Sequence, residues 1–399
     1  MRDPSSCYSG IEKFPSMKIV TVVGARPQFI KAASVSREIR KHPEIQEIIV
    51  HTGQHFDKNM SDVFFEEMQI PRPDYNLNIN SMSHGAMTGR MMEGIENVLL
   101  EEKPDCVIVY GDTNSTLAGA VTASKLHIPV AHVEAGLRSF NKKMPEEINR
   151  ILTDHVSDFL FCPTDTAVGN LQKEGFVNII NDGKLIGSPI PKPLTLPVVI
   201  NVGDVMYDAA MFYSKISEQK SKIVKNLRLE GKDFALCTIH RAENTDDPKR
   251  LRGIFDAFIE ISKDMCVILP LHPRTRKILE SAANDSRFTI HDSLLLIEPV
   301  SYFDMIELLK RTRIVMTDSG GMQKEAFFFR KPCITLRDET EWIELVEHHV
   351  NYLSGTDASN ILSIFKNVIN SELMFDISLY GSGKASETII GLMSLKLFS

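Results

Sequence analysis

The sequence predicts an α/β protein made of two doubly wound parallel sheets with a cleft between them. Short apolar runs alternate with amphipathic stretches from residue 18 almost to the end of the chain. Strands that alternate with helices favour a parallel sheet that is covered on both faces. The alternation is broken once, at 183–201, and then resumes. The length of 399 residues also suits two domains of about 100–200 residues each.

The composition excludes several other classes of protein. Hydrophobic residues make up 43% and charged residues 24% of the chain, as in ordinary globular proteins. The net charge of −7 argues against a nucleic-acid partner, and no apolar run reaches the roughly 18 residues of a membrane span. The six cysteines lie far apart without a CxxC pair. This spacing predicts reduced thiols in a cytoplasmic protein and no structural zinc site.

The first half of the chain contains five strand-like runs, each short and apolar. They lie at 18–23, 47–51, 105–110, 128–133 and 159–162. Between them, 84–102 and 113–126 have the apolar periodicity of amphipathic helices. These runs predict an N-terminal domain over 17–182. The preceding extension, 1–16, lacks the apolar core of a signal peptide.

The second half repeats this alternation after a segment that is rich in proline and glycine. That segment, 183–201, predicts a linker or a loop insertion. Six further strand-like runs lie at 234–239, 266–270, 288–291, 294–297, 313–317 and 333–336. Helical patterns at 249–262 and 302–311 fall between them. The runs predict a C-terminal domain over 202–379, followed by a terminal helix.

The residues that immediately follow the strands are the candidate site, because ligands of open α/β sheets bind beyond the carboxyl ends of the strands. The first strand is followed by Arg26, Pro27 and Lys31. Pro27 suits the first turn of a helix. Arg26 and Lys31 beside that helix terminus predict a phosphate or oxyanion site. The alternative is that both are ordinary surface cations.

Carboxylates follow two later strands of the first domain. Asp112 comes after the run 105–110, and Glu134 comes after the run 128–133. Adjacent strands would place them side by side, where neighbouring carboxylates can divide the roles of base and acid. Glu146 opens a helix on the same rim. The alternatives are an N-cap role for Asp112 and a helix-dipole role for Glu146.

The second domain has two polar strand ends of its own. His240 follows the run 234–239 and could protonate or hold a leaving phosphate, with a structural histidine as the alternative. His272 and Arg274 follow the next strand and add positive charge to the same rim. His272 could equally hold the strand end in place.

A small-residue turn at Ser319, Gly320 and Gly321 leads from a strand into a helix. Bare backbone can approach a diphosphate closely, and a helix N-terminus favours its negative charge. Glu325, on the first turns of that helix, can accept two hydrogen bonds from the hydroxyls of a ribose. The turn and the carboxylate together predict a nucleoside diphosphate, and Arg337 after the next strand adds a donor.

The chain contains six motifs in a fixed order: GARPQFIK, YGDTNSTLAG, HVEAGLRS, PEEINR, IHRAEN and TDSGGMQKEA. In these motifs it resembles the non-hydrolysing UDP-N-acetylglucosamine 2-epimerases, from about Met17 to the end. Ala25 and Gln28 are most similar to the branch that acts on UDP-2,3-diacetamido-2,3-dideoxyglucuronic acid. The resemblance implies the two-domain architecture of GT-B glycosyltransferases, a homodimer, and a last helix, 380–399, that returns to the first domain.

The resemblance also implies roles for individual residues. The catalytic positions of the family are matched by Asp112, Glu134, Glu146 and His240. The substrate-binding positions are matched by Arg26, Lys31, Ser319, Gly320, Gly321, Glu325 and Arg337. Some bacterial members have an allosteric UDP-sugar site, and part of it would lie at His51, Gln54 and His55.

The implied reaction inverts C2 of a UDP-linked acetamido sugar by eliminating UDP and adding it back, for bacterial surface polysaccharide precursors. No metal or other cofactor is expected, because fixed donors can stabilise the departing diphosphate. The substrate is either UDP-N-acetylglucosamine or the diacetamido uronate, and Gln28, where the family usually has Glu, would ease the approach of a substrate carboxylate. The alternatives are a hydrolysing 2-epimerase, a GT-B glycosyltransferase and a non-catalytic UDP-sugar sensor. The full set of acidic positions argues against the sensor.

Overall fold

The computed structural model describes residues 17–54, 65, 69, 72–181, 184–186, 197–271, 275–276, 293–375 and 378–394. Several predicted features lie outside these residues: the extension 1–16, His55, His272, Arg274 and the strand at 288–291. The described helices and strands build two sheets, with helices packed against them. No described helix has both the length and the apolar character needed to cross a membrane.

Nine strands of the described residues form the first sheet. They are β1 (Met17–Val23), β2 (Ile45–His51), β3 (Tyr75–Asn76), β4 (Cys106–Tyr110), β5 (Val130–Val133), β6 (Phe159–Cys162), β7 (Asn178–Asn181), β8 (Lys184–Ile186) and β9 (Val198–Asn201). Their order across the sheet is β3-β2-β1-β4-β5-β6-β9-β7-β8. Neighbours pair in parallel except β7 with β8, which are antiparallel.

Helices between these strands cover both faces of the first sheet. They are α1 (Arg26–Ile39), α2 (His84–Glu102), α3 (Asn114–Lys125), α4 (Pro145–Val156) and α5 (Asp165–Lys173). Along β1, Ile19 lies in one hydrophobic core with Phe29 of α1. The next residue, Val20, lies in a second core with Met91 of α2. Successive strand residues point to opposite faces, so a strand that is buried on both faces is a nearly continuous apolar run.

The second sheet has six strands within the described residues. They are β10 (Phe234–Thr238), β11 (Cys266–Pro270), β12 (Leu294–Ile297), β13 (Ile314–Thr317), β14 (Cys333–Thr335) and β15 (Asn351–Leu353). They pair in parallel in the order β12-β11-β10-β13-β14-β15. The remaining helices are α6 (Val205–Lys220), α7 (Ile223–Asn226), α8 (Ala242–Thr245), α9 (Pro248–Ile261), α10 (Tyr302–Arg311), α11 (Gly320–Phe328), α12 (Ile343–Glu347), α13 (Ala358–Ile369) and α14 (Ala385–Ser394).

Each sheet has a reversal of strand order between its first strand and the fourth, β1 and β4 in the first sheet and β10 and β13 in the second. At such a reversal the connections leave the two strands toward opposite faces, and a crevice opens at their carboxyl ends. The segments after β1, β4, β10 and β13 carry most of the residues that the sequence singles out. The two doubly wound sheets that the sequence predicts are thus confirmed.

The structure differs from the prediction over 183–201, which was expected to be a linker or an insertion. Residues 184–186 and 198–201 are strands of the first sheet, and β9 pairs in parallel with β6. The run Val198–Ile200 is apolar and β-branched, as suits a buried strand. This run is too short to predict a strand by itself, and the prolines that precede it led to the prediction of a linker.

Helices α6 and α14 join the two halves of the molecule. In α6, Tyr213 accepts a hydrogen bond from Arg37 of α1 at 2.6 Å. Its ring also lies 5.9 Å from that of Phe303 of α10, in the second half. Helix α14 packs on α1, where the Ser386 hydroxyl lies 2.8 Å from that of Ser34. The chain therefore crosses back to the first sheet before its end.

Candidate functional site

The first candidate anion site lies where β1 passes into α1. A Cβ on Gly24 would lie 2.1 Å from the hydroxyl oxygens of Ser115 and Thr52, so only glycine fits there. Arg26 begins α1, and its side chain lies outside the described part of the structure. Lys31, farther along α1, is buried and forms an ion pair with Glu134. Lys31 therefore reaches across the strand ends to the residue that follows β5.

The side-chain amide of Gln28 makes all its hydrogen bonds to groups inside the fold. Its Oε1 accepts hydrogen bonds from the N–H groups of Gly24 and Ala25, at 2.8 and 2.9 Å. Its Nε2 donates to the carbonyl of Tyr110 and the hydroxyl of Thr116, at 3.0 and 2.9 Å. An amide has two donors and two acceptor positions, and all four are occupied. The amide therefore has no free hydrogen-bonding position for a substrate carboxylate, because Gln28 fastens the end of β1 to β4.

Asp112 and Glu134 follow neighbouring strands, as the sequence predicts. Tyr110 of β4 pairs with Val133 of β5, so the residues that come next lie at the same edge of the sheet. The side chain of Asp112 is 28% exposed and accepts from Arg150 at 2.6 Å. Glu134 is more deeply buried. The two carboxylates thus differ in burial and in partners, as suits two groups that divide the roles of base and acid.

The N-cap role considered for Asp112 is not seen in the structure, whereas the helix-dipole role considered for Glu146 fits its position. Thr113, not Asp112, is the N-cap of α3, and its hydroxyl accepts from the N–H of Thr116 at 3.3 Å. Glu146 lies exposed in the first turn of α4, where a carboxylate interacts favourably with the helix dipole. Within the described residues, no hydrogen bond or ion pair joins Glu146 to Asp112 or Glu134.

Glu134 is the most constrained of these carboxylates. Its φ of +75° is rare for a residue other than glycine, and such strain persists only where the surrounding structure holds it. Its Oε2 faces Lys31 and lies 3.7 Å from Nζ of Lys324. Burial disfavours the charged form, but Lys31, Lys324 and Arg150 together hold the pKa of this carboxyl below its ordinary value. Glu134 is therefore an ionised group, as a base must be.

The strand ends of the second sheet bring His240 next to the glycine turn. Asp318, which directly follows β13 and is fully buried, accepts from the N–H groups of His240 and Arg241 at 3.1 and 3.0 Å. Nδ1 of His240 lies 3.4 Å from Oδ1 of Asp318. The His240 side chain is still 41% exposed, so a ligand can reach it. Asp318 fixes the two segments relative to each other.

The turn at the start of α11 has the shape that its small residues predict. The hydroxyl of Ser319 caps α11 by accepting from a backbone N–H in its first turn at 3.4 Å. A Cβ on Gly320 would lie 2.2 Å from Oε1 of Glu341, whereas a Cβ on Gly321 would meet no described atom within 4 Å. The space in front of Gly321 is open, and Glu325 lies buried farther along the helix.

Arg337 is buried against an internal carboxylate. Its Nη1 lies 3.0 Å from Oε2 of Glu341. The other carboxylate oxygen, Oε1, lies 3.9 Å from Arg241 and 4.0 Å from Arg150. Burial alone would raise the pKa of Glu341, but the three guanidinium groups lower it to about 2. Because Arg150 also binds Asp112, a chain of charges runs from the first sheet to the second.

The predicted allosteric residues are described only in part. Oε1 of Gln54 accepts from the N–H and the hydroxyl of Ser115, at 3.2 and 2.8 Å. His51 packs against Phe29, and burial lowers its pKa to about 4, which makes it neutral near pH 7. His55 lies outside the described residues. Among the residues described, no group of three or more His, Cys, Asp or Glu is arranged to hold a metal ion.

Four residues at this site were not singled out from the sequence: Arg150, Asp318, Lys324 and Glu341. For two of them, Arg150 and Asp318, the sequence contains a pattern that could have identified them. Arg150 lies three residues after Glu147, so the two share a helix face, and they pair at 2.9 Å. Asp318 directly follows a strand. Lys324 and Glu341 act through contacts between sheets, which sequence spacing does not reveal.

Comparisons with known proteins agree with this arrangement. The family model described as UDP-N-acetylglucosamine 2-epimerase matches residues 37–394. The UDP-2,3-diacetamido-2,3-dideoxy-D-glucuronate 2-epimerase of Pseudomonas aeruginosa is 52% identical over 375 residues, which cover 94% of this chain and 98% of that protein. A UDP-N-acetylglucosamine 2-epimerase homolog of Methanococcus maripaludis is 50% identical over 378 residues, covering 94% and 99%.

A solved structure extends the similarity to three dimensions. The Methanocaldococcus jannaschii UDP-GlcNAc 2-epimerase in complex with UDP-GlcNAc and UDP has a TM-score of 0.83 and 41% identity. That similarity covers 95% of this chain and all of the other. Since both sheets and nearly the whole length take part, the chain belongs to the UDP-N-acetylglucosamine 2-epimerase family and is an isomerase.

Proposed function

We propose that this protein inverts C2 of UDP-2,3-diacetamido-2,3-dideoxyglucuronate and gives the manno form, for bacterial surface polysaccharide precursors. The Pseudomonas enzyme named for that sugar, at 52% identity, supports this substrate. UDP-N-acetylglucosamine is the second candidate, since proteins named for it in two archaea are 41% identical. Side-by-side turnover of the two UDP-sugars tests the choice, and a higher kcat/KM for UDP-N-acetylglucosamine would reverse it.

One observation supports an elimination mechanism above all. Glu134 at the end of β5 lies 3.7 Å from Lys324 of α11, the helix that begins at the glycine turn. This contact supports the proposal, because it places a carboxylate of the first sheet next to the helix that begins at the turn proposed to bind the diphosphate. That is the geometry needed to remove a proton from C2 while a diphosphate leaves the neighbouring carbon.

The proposed reaction proceeds through a glycal. No carbonyl adjoins C2, so its proton is not acidic enough for direct removal. A base takes this proton, the C–H electrons form the C1–C2 double bond, and the C1–O bond breaks to release UDP. UDP then adds back at C1 while a proton reaches C2 from the other face. Negative charge builds on the diphosphate, where the α11 terminus and His240 supply fixed donors.

The proposed proton-transfer set is Asp112, Glu134 and Glu146. The first two are supported by their placement at neighbouring strand ends. The proposed substrate contacts are Arg26, Lys31, Ser319, Gly320, Gly321, Glu325 and Arg337. For Arg337 the proposal requires a change of partner, because Glu341 now occupies it at 3.0 Å. An allosteric role for Gln54 and His55 stays a prediction.

The proposal includes a homodimer and a cytoplasmic location. Ile148 and Leu152 lie four residues apart on α4 and are 45% and 46% exposed, beside a loop where Phe140 is 68% exposed. Contiguous apolar surface of this kind often marks an interface. Sedimentation measures the oligomeric state.

All described cysteines are free, which supports a reducing compartment. Because β8 and β9 belong to the first sheet, the proposed domains are 17–201 with 380–399 and 202–379.

Incubation with a UDP-sugar in heavy water separates the reaction classes. A non-hydrolysing epimerase incorporates deuterium at C2 and returns an intact UDP-sugar. Release of free UDP with free sugar would indicate a hydrolysing epimerase, and UDP release that depends on an acceptor would indicate a glycosyltransferase. Binding without exchange would indicate a sensor. Any of these three outcomes would overturn the proposed reaction.

A further inference from the structure

Lys324 is a buried cation at the junction of the two sheets. It lies on α11, shortly after the glycine turn, and is only 1% exposed. Its Nζ lies 2.5 Å from Oδ2 of Asp204, 3.7 Å from Oε2 of Glu134 and 4.1 Å from the centroid of the Trp342 ring. A buried ammonium is costly unless it is paired, so two carboxylates and an aromatic face are the partners it needs.

We propose that Lys324 is a positioning residue that keeps Glu134 ionised and oriented and ties it to the helix of the diphosphate turn. The inference rests on the proposed role of Glu134 in proton transfer. It adds a residue of the second sheet to the control of a base on the first. Lys324 acts through Glu134 and Asp204, and no contact of its own with the substrate is required.

The charges around Glu134 explain why the loss of Lys324 should affect its ionisation. Glu134 faces Lys31 from α1, Arg150 from α4 and Lys324 from α11. Lys31, Lys324, Glu134 and Asp204 form a set of two positive and two negative charges. Removing Lys324 alone leaves this set with net negative charge. A nearby cation favours the ionised carboxylate, so its loss raises the pKa of Glu134.

Other titratable groups surround Lys324. Burial lowers the pKa of Lys324, but Asp204 and Glu134, with Glu325 farther away, raise it above its ordinary value. Glu344 on α12 lies within reach of its charge, and burial raises the pKa of that carboxyl to about 7. The buried hydroxyl of Tyr380 lies near Glu344, Asp204 and Glu134. Lys324 therefore stays charged at neutral pH, whereas Glu344 can change charge there.

The position of Lys324 on α11 links binding to proton transfer. From Gly320 to Lys324 the helix rises by roughly 6 Å, at about 1.5 Å per residue. A diphosphate held by the first turn therefore lies about one turn away from the cation that faces Glu134. A displacement of α11 when the ligand binds would move Nζ of Lys324 relative to Glu134. The ring of Trp342 packs against the ammonium at 4.1 Å.

The competing explanation is an ion pair with Asp204 that only holds α11 to the segment before α6. A double variant, Lys324→Met with Asp204→Asn, separates the two because it removes both charges and leaves no buried carboxylate of that pair unmatched. We expect the acid limb of the kcat/KM profile to move up, but by less than Lys324→Met alone would give, because the loss of Asp204 removes a negative charge that opposes the shift. UDP affinity should change little, and Lys324→Arg should keep the original limb. A folded double variant with an unmoved limb would overturn the inference.

Two matched variants test whether the shift is specific. Lys310 of α10 pairs with Glu218 of α6 at 2.7 Å and with Glu307 of α10 at 2.8 Å. Neither ion pair includes Glu134, so Lys310→Met should leave the pH profile unchanged. Glu344→Gln removes the nearby carboxyl whose pKa burial raises to about 7, and the shift from the double variant should persist in its presence. If the shift of the acid limb vanishes in the Glu344→Gln background, the effect belongs to Glu344 and the proposal is wrong.

Glu134→Gln distinguishes failure of this inference from failure of the proposed function. If that variant retains full C2 deuterium exchange, the role of Glu134 is wrong and Lys324 has no base to control. If it loses exchange but still binds UDP, and the double variant keeps its acid limb, only the inference about Lys324 fails.

Discussion

Arg150 donates to Asp112 at 2.6 Å on the first sheet and lies 4.0 Å from Glu341 on the second. The same guanidinium lies 2.9 Å from Glu147, whose carboxylate accepts from the backbone N–H groups of Ser139 and Phe140. One buried cation therefore organises a proposed proton-transfer group, the loop before α4 and the contact between the sheets.

We expect Arg150→Met to lower the free energy of unfolding by about 3–5 kcal/mol, because it leaves the buried carboxylates Glu147 and Glu341 without a shared cation. Turnover should fall with it, since Asp112 loses its partner. Denaturant unfolding and C2 exchange are the measurements. Arg90→Met is the matched control, because Arg90 and Glu93 form an exposed pair that stabilises little. Equal losses in both variants would contradict this account of Arg150.

Gln28→Glu is expected to affect folding and not the choice of substrate. A carboxylate keeps the two bonds accepted from Gly24 and Ala25 but faces the carbonyl of Tyr110 with an acceptor in place of a donor. The loss should be about 1–3 kcal/mol of unfolding free energy, and more where the buried carboxyl ionises. The ratio of kcat/KM for the two candidate UDP-sugars should not change. A reversed ratio at unchanged stability would restore Gln28 as a specificity residue.

Sequence reasoning predicted the sheets and most strand-end residues, because a residue that follows a strand is identified by its position in the chain alone. Asp112, Glu134, His240 and Ser319 were found in this way. Contacts between sheets depend on the path of the whole chain, so Lys324 beside Glu134 was not predicted. The strand Val198–Asn201 was missed because a short apolar run next to prolines has no distinct periodicity.

The two glycines of the diphosphate turn form a natural pair for substitution. Gly320→Ala would place a Cβ 2.2 Å from Oε1 of Glu341, so we expect a lower melting temperature and lost turnover. Gly321→Ala meets no described atom within 4 Å, so the ligand-free melting temperature should stay near that of the parent. Its methyl group would still face the space proposed for the diphosphate. Calorimetric titration with UDP should therefore show weaker binding by Gly321→Ala, and parental affinity would argue against this turn as the diphosphate site.

Two buried glutamates, Glu341 and Glu344, should make the free energy of unfolding depend on pH in opposite directions. Arginines lower the pKa of Glu341 to about 2, so its contribution is present above the unfolded pKa of about 4.3 and is lost as the pH falls toward 2. Burial raises the pKa of Glu344 to about 7. Its favourable contribution is therefore present below about pH 4.3 and is lost as the pH rises through 7.

Glu344→Gln tests the second of these effects, because the amide stays neutral at every pH. We expect the variant to be more stable than the parent at pH 8, where Glu344 would be a buried carboxylate. Near pH 5 the parent carboxyl is protonated in the folded state, so the two proteins should differ much less. Urea unfolding at the two pH values measures both differences. A stability difference of the same size at pH 5 and pH 8 would mean that Glu344 does not titrate in this range and that the substitution acts through packing alone.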